Sequence, residues 1–321
     1  MIIEVDDAAD DRLNAFRWRE RQLNTIAQRK AAQINNLEST GMFVAEGDLV
    51  VRRALEAGCK PSVVLCDPKC AQEFAADVSK QGGITLSASA DIRREVTGLG
   101  VPLDAIGVFH RPALRDAQSL IDSSTRLVIL DCIDNPSNVG AIARSACALG
   151  WDAMLLDTTS SDPLTRRALR VSMGTTFHLP YARITDISTT LNQLASRGFA
   201  VVGMTLKHHS KQVEPMAQVR LDDSQPRALV LGSERQGLSD AALEACTILT
   251  NIPMAVGDRL AQCCVRYRNC VLRAQVVALG ELIMAVDAIS IYSANCRCTE
   301  SFGESSSTAA IMWTIQRSLS S

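Results

Sequence analysis

The stretch 126–150, RLVILDCIDNPSNVGAIARSACALG, decides the fold of this chain. Its first six residues, 126–131, are an apolar run with β-branched residues, which predicts a buried strand. Residues 132–138 favour irregular backbone, and residues 139–149 are helix formers followed by Gly150, where a C-cap would lie. The sequence therefore predicts a strand, a polar loop and a helix in succession.

Two polar side chains of this stretch suit an anionic or hydroxyl-bearing ligand. Asn138 stands at the predicted start of the helix, where it can cap the helix or point its amide outward. Arg144 follows about one and a half turns later, and its planar guanidinium can hold a phosphate. The free N–H groups of the first helical turn favour the same kind of ligand. A capped helix with a surface arginine is the alternative interpretation.

A second stretch, 228–239, reads ALVLGSERQGLS and predicts an apolar strand that runs into a loop. Gly232 and Gly237 permit close approach of the backbone to a ligand, and Glu234 lies between them. The spacing is not the G-x-G-x-x-G of dinucleotide-binding folds, and no acidic residue follows a first strand at the expected distance. Both observations count against a dinucleotide-dependent enzyme.

The two stretches resemble motifs 1 and 2 of the SpoU/TrmH family of RNA ribose 2′-O-methyltransferases, within the SPOUT superfamily. Motif 2 of that family is a strand followed by G-x-E-x-x-G-L, which this chain has from Gly232 to Leu238. Motif 1 is centred on N-P-x-N-x-G-x-x-x-R, and the matching residues here are Asn135, Pro136, Asn138, Gly140 and Arg144.

The resemblance implies an α/β fold whose C-terminal domain is a SPOUT trefoil-knot domain with a mostly parallel sheet, expected over residues 125–275. A linker is expected over 113–124. Before it, residues 31–112 alternate between strand and helix patterns. Within them, residues 43–58 resemble the small L30e-like RNA-binding domain of many SpoU-type enzymes, and a generic α/β domain is the alternative.

By position, the resemblance implies catalytic roles for Arg144, Asn138 and Glu234. Arg144 is expected to orient the ribose 2′-OH and stabilise the developing alkoxide, because a guanidinium with a pKa above ~12 does not readily act as a base. The family works as dimers, so a homodimer is expected, in which Arg144 can face the cofactor of the other subunit. S-adenosylmethionine is the implied methyl donor, with no metal, and the residues expected to line its pocket are Met204, Leu231, Gly232, Ile252 and Met254.

RNA, either tRNA or rRNA, is the implied partner, and two basic stretches are candidate contacts. Residues 1–30 are expected to form a basic helical arm in which Trp18 lies among arginines. Residues 165–184 resemble a family segment close to the substrate. A solvated helix and an ordinary basic loop are the respective alternatives. The predicted RNA-binding residues are Arg17, Arg19, Arg21, Arg166 and Arg170.

The chain departs from the family pattern after Met254. Residues 252–254 match motif 3, but the Ser-Leu-Asn element that should follow is missing. We hypothesise that the reading frame slipped near residues 254–258, because GC-rich codons read one base later restore a Ser-x-Asn element. Residues 276–321 are then an atypical, poorly ordered tail, and a catalytically impaired RNA-binding protein of the same fold is the alternative function. The competing interpretation of the tail is a zinc site from Cys263, Cys264, Cys270, Cys296 and Cys298, whose spacing fits no standard pattern.

Composition and length are consistent with a two-domain protein. The chain has 321 residues, 47% of them hydrophobic, and a formal net charge of −2, which argues against a histone-like coat for nucleic acid. No apolar run approaches the ~18 residues of a membrane span, and the acidic start carries no signal-peptide pattern. We therefore expect a cytoplasmic protein without a membrane partner, whose eleven cysteines are mostly reduced thiols.

Overall fold

One β-sheet organises each of the two predicted domains in the computed structural model, which describes residues 2–23, 41–205, 211–222 and 224–252. The predicted residue Met254, the cysteines beyond it, the hypothetical frame slip and the tail lie outside these residues. So does the part of the predicted arm from residue 24 onward. None of the described helices is long and apolar enough to cross a membrane.

The smaller sheet has five strands in the order β1-β4-β3-β5-β2. The pairs β1–β4 and β4–β3 are parallel, and the pairs β3–β5 and β5–β2 are antiparallel. Helices Asp48–Glu56, Ala71–Lys80 and Ala90–Thr97 connect the strands, and the alternation of strand and helix predicted for this region is confirmed. The strands are β1 (Ile2–Val5), β2 (Met42–Glu46), β3 (Pro61–Cys66), β4 (Ile84–Ala88) and β5 (Ala105–His110).

The N-terminal segment differs from the prediction of a separate helical arm. Strand β1 pairs with β4, so residues 2–5 form an edge strand of the smaller sheet. A single helix over residues 12–30 is wrong, because helix Asn14–Arg17 ends at Trp18, whose backbone is extended, and helix Glu20–Leu23 begins after it. Leu13, Phe16 and Leu23 are all buried in the core of the smaller sheet, so both short helices pack against it.

The larger sheet has seven strands in the order β10-β12-β9-β11-β6-β7-β8, and every neighbouring pair is parallel. The strand predicted at 126–131 is confirmed residue for residue. All seven strands run towards one carboxyl-terminal edge, where loops collect. They are β6 (Arg126–Asp131), β7 (Ala153–Leu156), β8 (Tyr181–Arg183), β9 (Ala200–Met204), β10 (Val213–Pro215), β11 (Arg227–Gly232) and β12 (Ile248–Asn251).

Five α-helices within the described residues accompany the larger sheet. Ala117–Ser123 lies in the predicted linker, and Ile187–Ser196 and Asp240–Ala245 pack with the strands around one apolar core. The other two are the motif 1 helix, Pro136–Ala148, and the arginine helix, Arg166–Ser172. The arginine helix corrects the interpretation of residues 165–184 as a basic loop, since Thr165 caps it by accepting a hydrogen bond from the N–H of Ala168.

The two sheets share a core instead of meeting only through a linker. Leu164 and Leu169 are buried in the same cluster as Phe43 and Phe109, and Phe177 packs against it with its ring centroid 5.6 Å from that of Phe43. The chain between β7 and β8 therefore belongs in part to the core of the smaller domain. This placement couples the arginine helix to both domains.

Buried polar contacts reinforce the shared core. The guanidinium of Arg111 forms a 2.7 Å ion pair with Asp162, and both side chains are almost inaccessible. Burial raises the pKa of Asp162, but Arg111, the backbone N–H of Leu164 and Arg183 together outweigh burial, so the pKa lies below its ordinary value. Arg53 donates to the carbonyl of Met173 over 2.7 Å at the end of the arginine helix. These contacts fix how the smaller domain stands against the arginine helix.

Candidate active site

The motif 1 helix begins three residues earlier than predicted, because Asn135 and not Asn138 is its N-cap. The side-chain oxygen of Asn135 accepts a hydrogen bond from the N–H of Ser137 over 3.0 Å. Pro136 occupies the first helical position, where its missing N–H costs nothing. Asn138 is thereby freed from capping and lies within the first turn, 5% exposed.

The loop before this helix is held by the carboxylate of Asp157, which follows β7. Asp157 accepts hydrogen bonds from the backbone N–H groups of Cys132, Thr159 and Ser160 at 2.9–3.1 Å, and from the hydroxyls of Thr159 and Ser160. Burial of Asp157 raises its pKa, but the hydrogen bonds from Ser160 and Thr159 outweigh burial, so the pKa is lower than usual. The loops after β6 and β7 are therefore bound together around one carboxylate.

Gly140 brings the motif 1 helix into contact with the arginine helix. A Cβ at this position would stand 2.4 Å from the carbonyl oxygen of Ala168, closer than any side chain can approach. The glycine of motif 1 thus serves helix packing. Because the two helices meet here, the arginine helix lies directly beside the first turn that carries Asn138.

The motif 2 loop closes tightly after β11. A Cβ on Gly232 would stand 2.2 Å from the carbonyl carbon of Gly237, so the loop itself requires this glycine. Ser233 and Gly237 exchange backbone hydrogen bonds at 2.9 and 3.2 Å. Asp131, buried at the end of β6, accepts a 2.7 Å hydrogen bond from the N–H of Ser239 and ties the end of the loop to the neighbouring strand.

The structure joins the two motifs through Asn138 and Glu234. The side-chain amide of Asn138 donates to Oε1 of Glu234 over 3.0 Å, across 96 positions of sequence. The contact is possible because β6 and β11 are neighbours in register, with Asp131 opposite Gly232. A carboxylate that accepts from a buried amide is fixed in direction, so Glu234 presents its remaining lone pairs at the carboxyl edge of the sheet.

Arg144, the third predicted catalytic residue, does not join this pair within one chain. It lies six positions beyond Asn138, which is about 9 Å along the helix axis and on a different face. Its side chain is exposed, and it has no hydrogen-bond or ion-pair partner among the residues that the structure describes. The arginine is therefore available to a group from outside the chain.

Four of the predicted cofactor-binding residues lie at the carboxyl ends of neighbouring strands. Met204 ends β9, Leu231 and Gly232 end β11, and Ile252 follows β12. These three strands are adjacent and parallel, in the order β12-β9-β11, so the four residues share one edge of the sheet with Glu234. Their positions agree with the rule that ligands of parallel α/β sheets bind at this edge.

Comparison of the sequence with known proteins identifies its relatives. A sequence model of the SpoU rRNA Methylase family matches residues 125–258. An uncharacterised tRNA/rRNA methyltransferase of Mycobacterium bovis is 31% identical over 257 residues, covering 80% of this chain and 85% of the relative. The chain belongs to the SpoU methylase family.

Solved structures share the fold of this SpoU family member. An AdoMet-bound rRNA methyltransferase from Sinorhizobium meliloti superposes with a TM-score of 0.67 at 22% identity, covering 90% of this chain and 98% of that one. The SpoU methyltransferase AviRb from Streptomyces viridochromogenes, in complex with AdoMet, gives 0.65 at 23% identity, covering 88% and 99%. The prediction of an α/β fold with a mostly parallel sheet is confirmed, and the knot and the L30e-like character of the smaller domain stay predictions.

The predicted RNA-binding arginines lie on the arginine helix and on the N-terminal segment that contacts it. Arg166 donates to the carbonyl oxygens of Trp18 and Phe16 over 2.8 and 3.0 Å, and its backbone N–H donates to Glu20. Its guanidinium also stands 3.4 Å from Glu46. Arg166 therefore anchors the N-terminal segment, whereas the four remaining predicted residues are exposed on the surface, namely Arg17, Arg19, Arg21 and Arg170.

Three residues of the site were not predicted from the sequence, and each contacts a segment at least 25 positions away. Asp131 and Asp157 close two strands and act on loops that are distant in sequence. Arg167 donates to the hydroxyl of Ser137, immediately before Asn138, and was passed over between two other arginines. Acidic residues that end parallel strands are a general sign of such roles, and this sign was available for both aspartates.

Cysteines of the described segments do not assemble with other ligands. The part of the chain that the structure describes holds no group of three or more His, Cys, Asp or Glu side chains that could bind a metal. Its cysteines are free thiols, and burial raises the pKa of Cys59 to about 11 and that of Cys246 to about 12. Such thiols remain protonated and inert at neutral pH. The cysteines of the predicted zinc alternative lie beyond residue 252.

Proposed function

We propose that this chain transfers a methyl group from S-adenosylmethionine to a ribose 2′-OH of tRNA or rRNA. The observation that carries the proposal is the hydrogen bond between Asn138 and Glu234, which places one polar residue from each family motif at the same edge of the parallel sheet. Membership of a tRNA/rRNA methyltransferase family supports the reaction class and the substrate class.

The residues at the strand ends fit the adenosine and methionine parts of such a cofactor. Met204 and Leu231 are apolar and buried at the ends of adjacent strands, and Ile252 is half-buried beside them. Strand ends offer backbone N–H and C=O groups that the sheet no longer uses, and these suit the polar edge of an adenine. We infer that these residues, with Gly232, hold the cofactor, and Met254 stays a predicted member of the set. When bound, S-adenosylmethionine supplies an electrophilic methyl group.

The chain's own polar groups prepare the nucleophile. Asn138 fixes Glu234, and the free lone pairs of Glu234 accept hydrogen bonds from the substrate ribose or from Arg144. Arg144 orients the 2′-OH and the adjacent phosphate, and stabilises the negative charge that develops on the oxygen as its proton passes to the carboxylate of Glu234. Its guanidinium stays protonated throughout, because its pKa lies far above neutral pH.

We propose a homodimer in which Arg144 completes the site of the partner subunit. The position of Arg144 supports this arrangement, because within one chain it lies on another face of the helix from Asn138. An isologous two-fold interface would place the same exposed helix face against the partner and would form two equivalent sites.

RNA is the proposed partner of the exposed arginines at the N-terminal segment and on the arginine helix. These residues lie beside the first turn of the motif 1 helix, since Arg167 contacts Ser137. A basic surface next to the reacting ribose lets phosphate contacts fix the register of the substrate. A cytoplasmic location stays a prediction.

A catalytically impaired RNA-binding protein is the second candidate. The sequence after Ile252 favours it, because residues 255–271 lack the Ser-Leu-Asn element that follows motif 3 in the family. The chain then keeps the fold and the basic surface but fails to complete the cofactor pocket. Cofactor binding separates the two candidates.

The test combines calorimetric titration with S-adenosylmethionine and a methylation assay with radiolabelled donor on total tRNA and rRNA. A 2′-O-methyl group is identified by the resistance of the adjacent phosphodiester to alkali. We expect saturable cofactor binding and alkali-resistant label. Binding of RNA without binding of the cofactor would favour the impaired protein, and label that is removed or lies on a base would refute the ribose assignment.

A further inference from the structure

The arginine helix presents a stripe of three exposed residues to solvent. Arg167 and Arg170 stand three positions apart on one face of the helix, Met173 follows as its C-cap, and all three are exposed. The opposite face, Ala168 and Leu169, is buried in the shared core. The stripe is therefore held rigidly by packing on its inner side.

One end of the stripe reaches the proposed active site. The guanidinium of Arg167 donates to the hydroxyl of Ser137, the residue before Asn138. Close packing at Gly140 fixes the distance between the two helices. A chain of nucleotides that lies on the stripe thus leads directly to the site where Asn138 and Glu234 meet.

The same end of the helix carries an exposed aromatic side chain from the N-terminal segment. Trp18 is 36% exposed, although Leu13, Phe16 and Leu23 on either side of it are buried. Its carbonyl is held by Arg166, and its neighbours Arg17 and Arg19 are exposed. A tryptophan kept partly in water at a fixed corner between arginines offers a flat surface to a base.

The acidic groups in contact with this surface cancel only part of its charge. Glu46 faces both Arg166 and Arg170, at 3.4 and 3.7 Å, so one carboxylate stands against two guanidiniums. Glu20 accepts a hydrogen bond from the backbone N–H of Arg166. Arg17 donates to the carbonyl of Ala8, within the acidic run 6–11. Arg19, Arg167 and Arg170 remain exposed on the two segments that Arg166 joins, which suits a polyanion that also carries aromatic rings.

We propose that unpaired RNA next to the target nucleotide runs along the stripe, with its phosphates on Arg167 and Arg170 and one base stacked on Trp18. The proposal rests on the proposed function for the identity of the polymer. Unpaired RNA is favoured over a duplex because stacking on a side chain needs a base that has left its helix. Arg166 acts as a positioning residue, since its contacts hold the backbone of Trp18 instead of meeting solvent.

The test measures RNA binding by the full chain without cofactor. Fluorescein-labelled oligouridine of about 12 nucleotides serves as the unpaired probe, and its duplex with oligoadenosine serves as the paired one. We expect Trp18→Ala to weaken binding of the unpaired probe by roughly tenfold, with little effect on the duplex. Trp18→Phe should retain most of the affinity, and Val101→Ala, which removes another exposed apolar side chain, should change nothing.

The arginines have a separate signature in the same titration. Arg167→Ala and Arg170→Ala should each weaken binding and lower the slope of log affinity against log salt by about one phosphate contact. Melting temperatures equal to that of the wild-type chain confirm that each variant is folded. Equal binding by Trp18→Ala and the wild type, or an equal loss for both probes, would overturn the proposal. Equally tight binding of polyglutamate would show a general anion surface and would also overturn it.

The binding result is independent of methyl transfer. If RNA binding depends on Trp18 but no methyl group is transferred, the proposed activity fails and this inference stands. If methyl transfer occurs and Trp18→Ala leaves the KM for RNA unchanged, this inference fails and the proposed activity stands.

Discussion

The two ends of the motif 1 helix differ in how complete they are within one chain. At the N-terminal end, Asn138 is buried and hydrogen-bonded to Glu234. At the C-terminal end, Arg144 is exposed and has no partner in the segments that the structure describes. We call the N-terminal end, where Asn138 has its partner Glu234, the finished end of the helix. We call the C-terminal end, where Arg144 has no described partner, the unfinished end.

This difference teaches that the chain assembles only part of the proposed site. The finished pair depends on parallel strands β6 and β11 being neighbours, which the fold supplies unaided. The unfinished residue needs a group from outside, either RNA or a second subunit. Substitutions at the finished end should therefore disturb the folded chain, and substitutions at the unfinished end should disturb only the reaction.

The largest effect should come from Gly232→Ala, which breaks the finished end. The new methyl group would collide with the backbone of Gly237 and push Glu234 away from Asn138. We expect a loss of more than about 3 kcal/mol in the free energy of unfolding and no detectable methyl transfer. Urea unfolding measures the first and the radiolabel assay the second.

Gly198→Ala is the matched control for that substitution. Gly198 has a φ of +85° but nothing within 4 Å of its missing Cβ, so alanine there should cost only the roughly 1–2 kcal/mol of a left-handed backbone. If both variants lose the same free energy of unfolding, the close contact between Gly232 and Gly237 is not what makes a glycine necessary at position 232.

Arg144→Ala, at the unfinished end, should lower the rate of methyl transfer without destabilising the fold. Loss of a charged group that stabilises a developing alkoxide typically lowers the rate by roughly 10²–10³. Because Arg144 has no described partner, the melting temperature and cofactor affinity should not change. Arg115→Ala removes another exposed arginine and should leave the rate as it is. A large fall in stability of Arg144→Ala would contradict the distinction between the two ends.

Asn138→Asp replaces the amide donor with a second carboxylate beside Glu234. The two carboxylates repel each other, so one should keep its proton to a higher pH than usual. We expect the free energy of unfolding to fall by roughly 1–3 kcal/mol at pH 8. The loss should shrink as the pH falls towards ~5, where the two carboxylates share a proton. Unfolding curves across this range test the prediction, and a loss that does not depend on pH would show that Asn138 and Glu234 do not face each other.

Asp157→Asn should weaken the support of the finished end and have the smallest effect. The pKa of Asp157 is depressed in the folded chain, so its stabilisation is complete above the unfolded value and is lost as the pH falls through the folded value. The variant should be roughly 1–2 kcal/mol less stable than the wild type at pH 7. The free energies of unfolding of the variant and the wild type should become equal only below about pH 4. Equal values at a higher pH would contradict the role of the Asp157 carboxylate in holding the loop.

Local patterns predicted the central elements well. The strand at 126–131 was predicted with its observed bounds, because its apolar, β-branched run is closed by polar residues on one side. The helix start was misplaced by three residues, since Asn135 and Pro136 favour turns as well as the first positions of a helix. Strand β1 was missed because its four residues stand before an acidic run that hides the pattern.

Contacts between distant segments could not be predicted from local patterns. The pairing of Asn138 with Glu234 follows from sheet order, which no stretch of sequence encodes by itself. The contacts of Arg166 could not be predicted for the same reason, because its partners at residues 16, 18 and 20 lie almost 150 positions away. A basic residue with such partners serves as an anchor for the chain.

The most direct test of the central claim mixes two inactive variants. Chains with Arg144→Ala keep Asn138 and Glu234, and chains with Glu234→Ala keep Arg144. If Arg144 completes the partner's site, refolding the two together should form mixed dimers with one intact site each, and methyl transfer should recover to about a quarter of the wild-type rate. A mixture that dimerises but stays as inactive as either variant alone would show that Arg144 does not act across the two-fold axis.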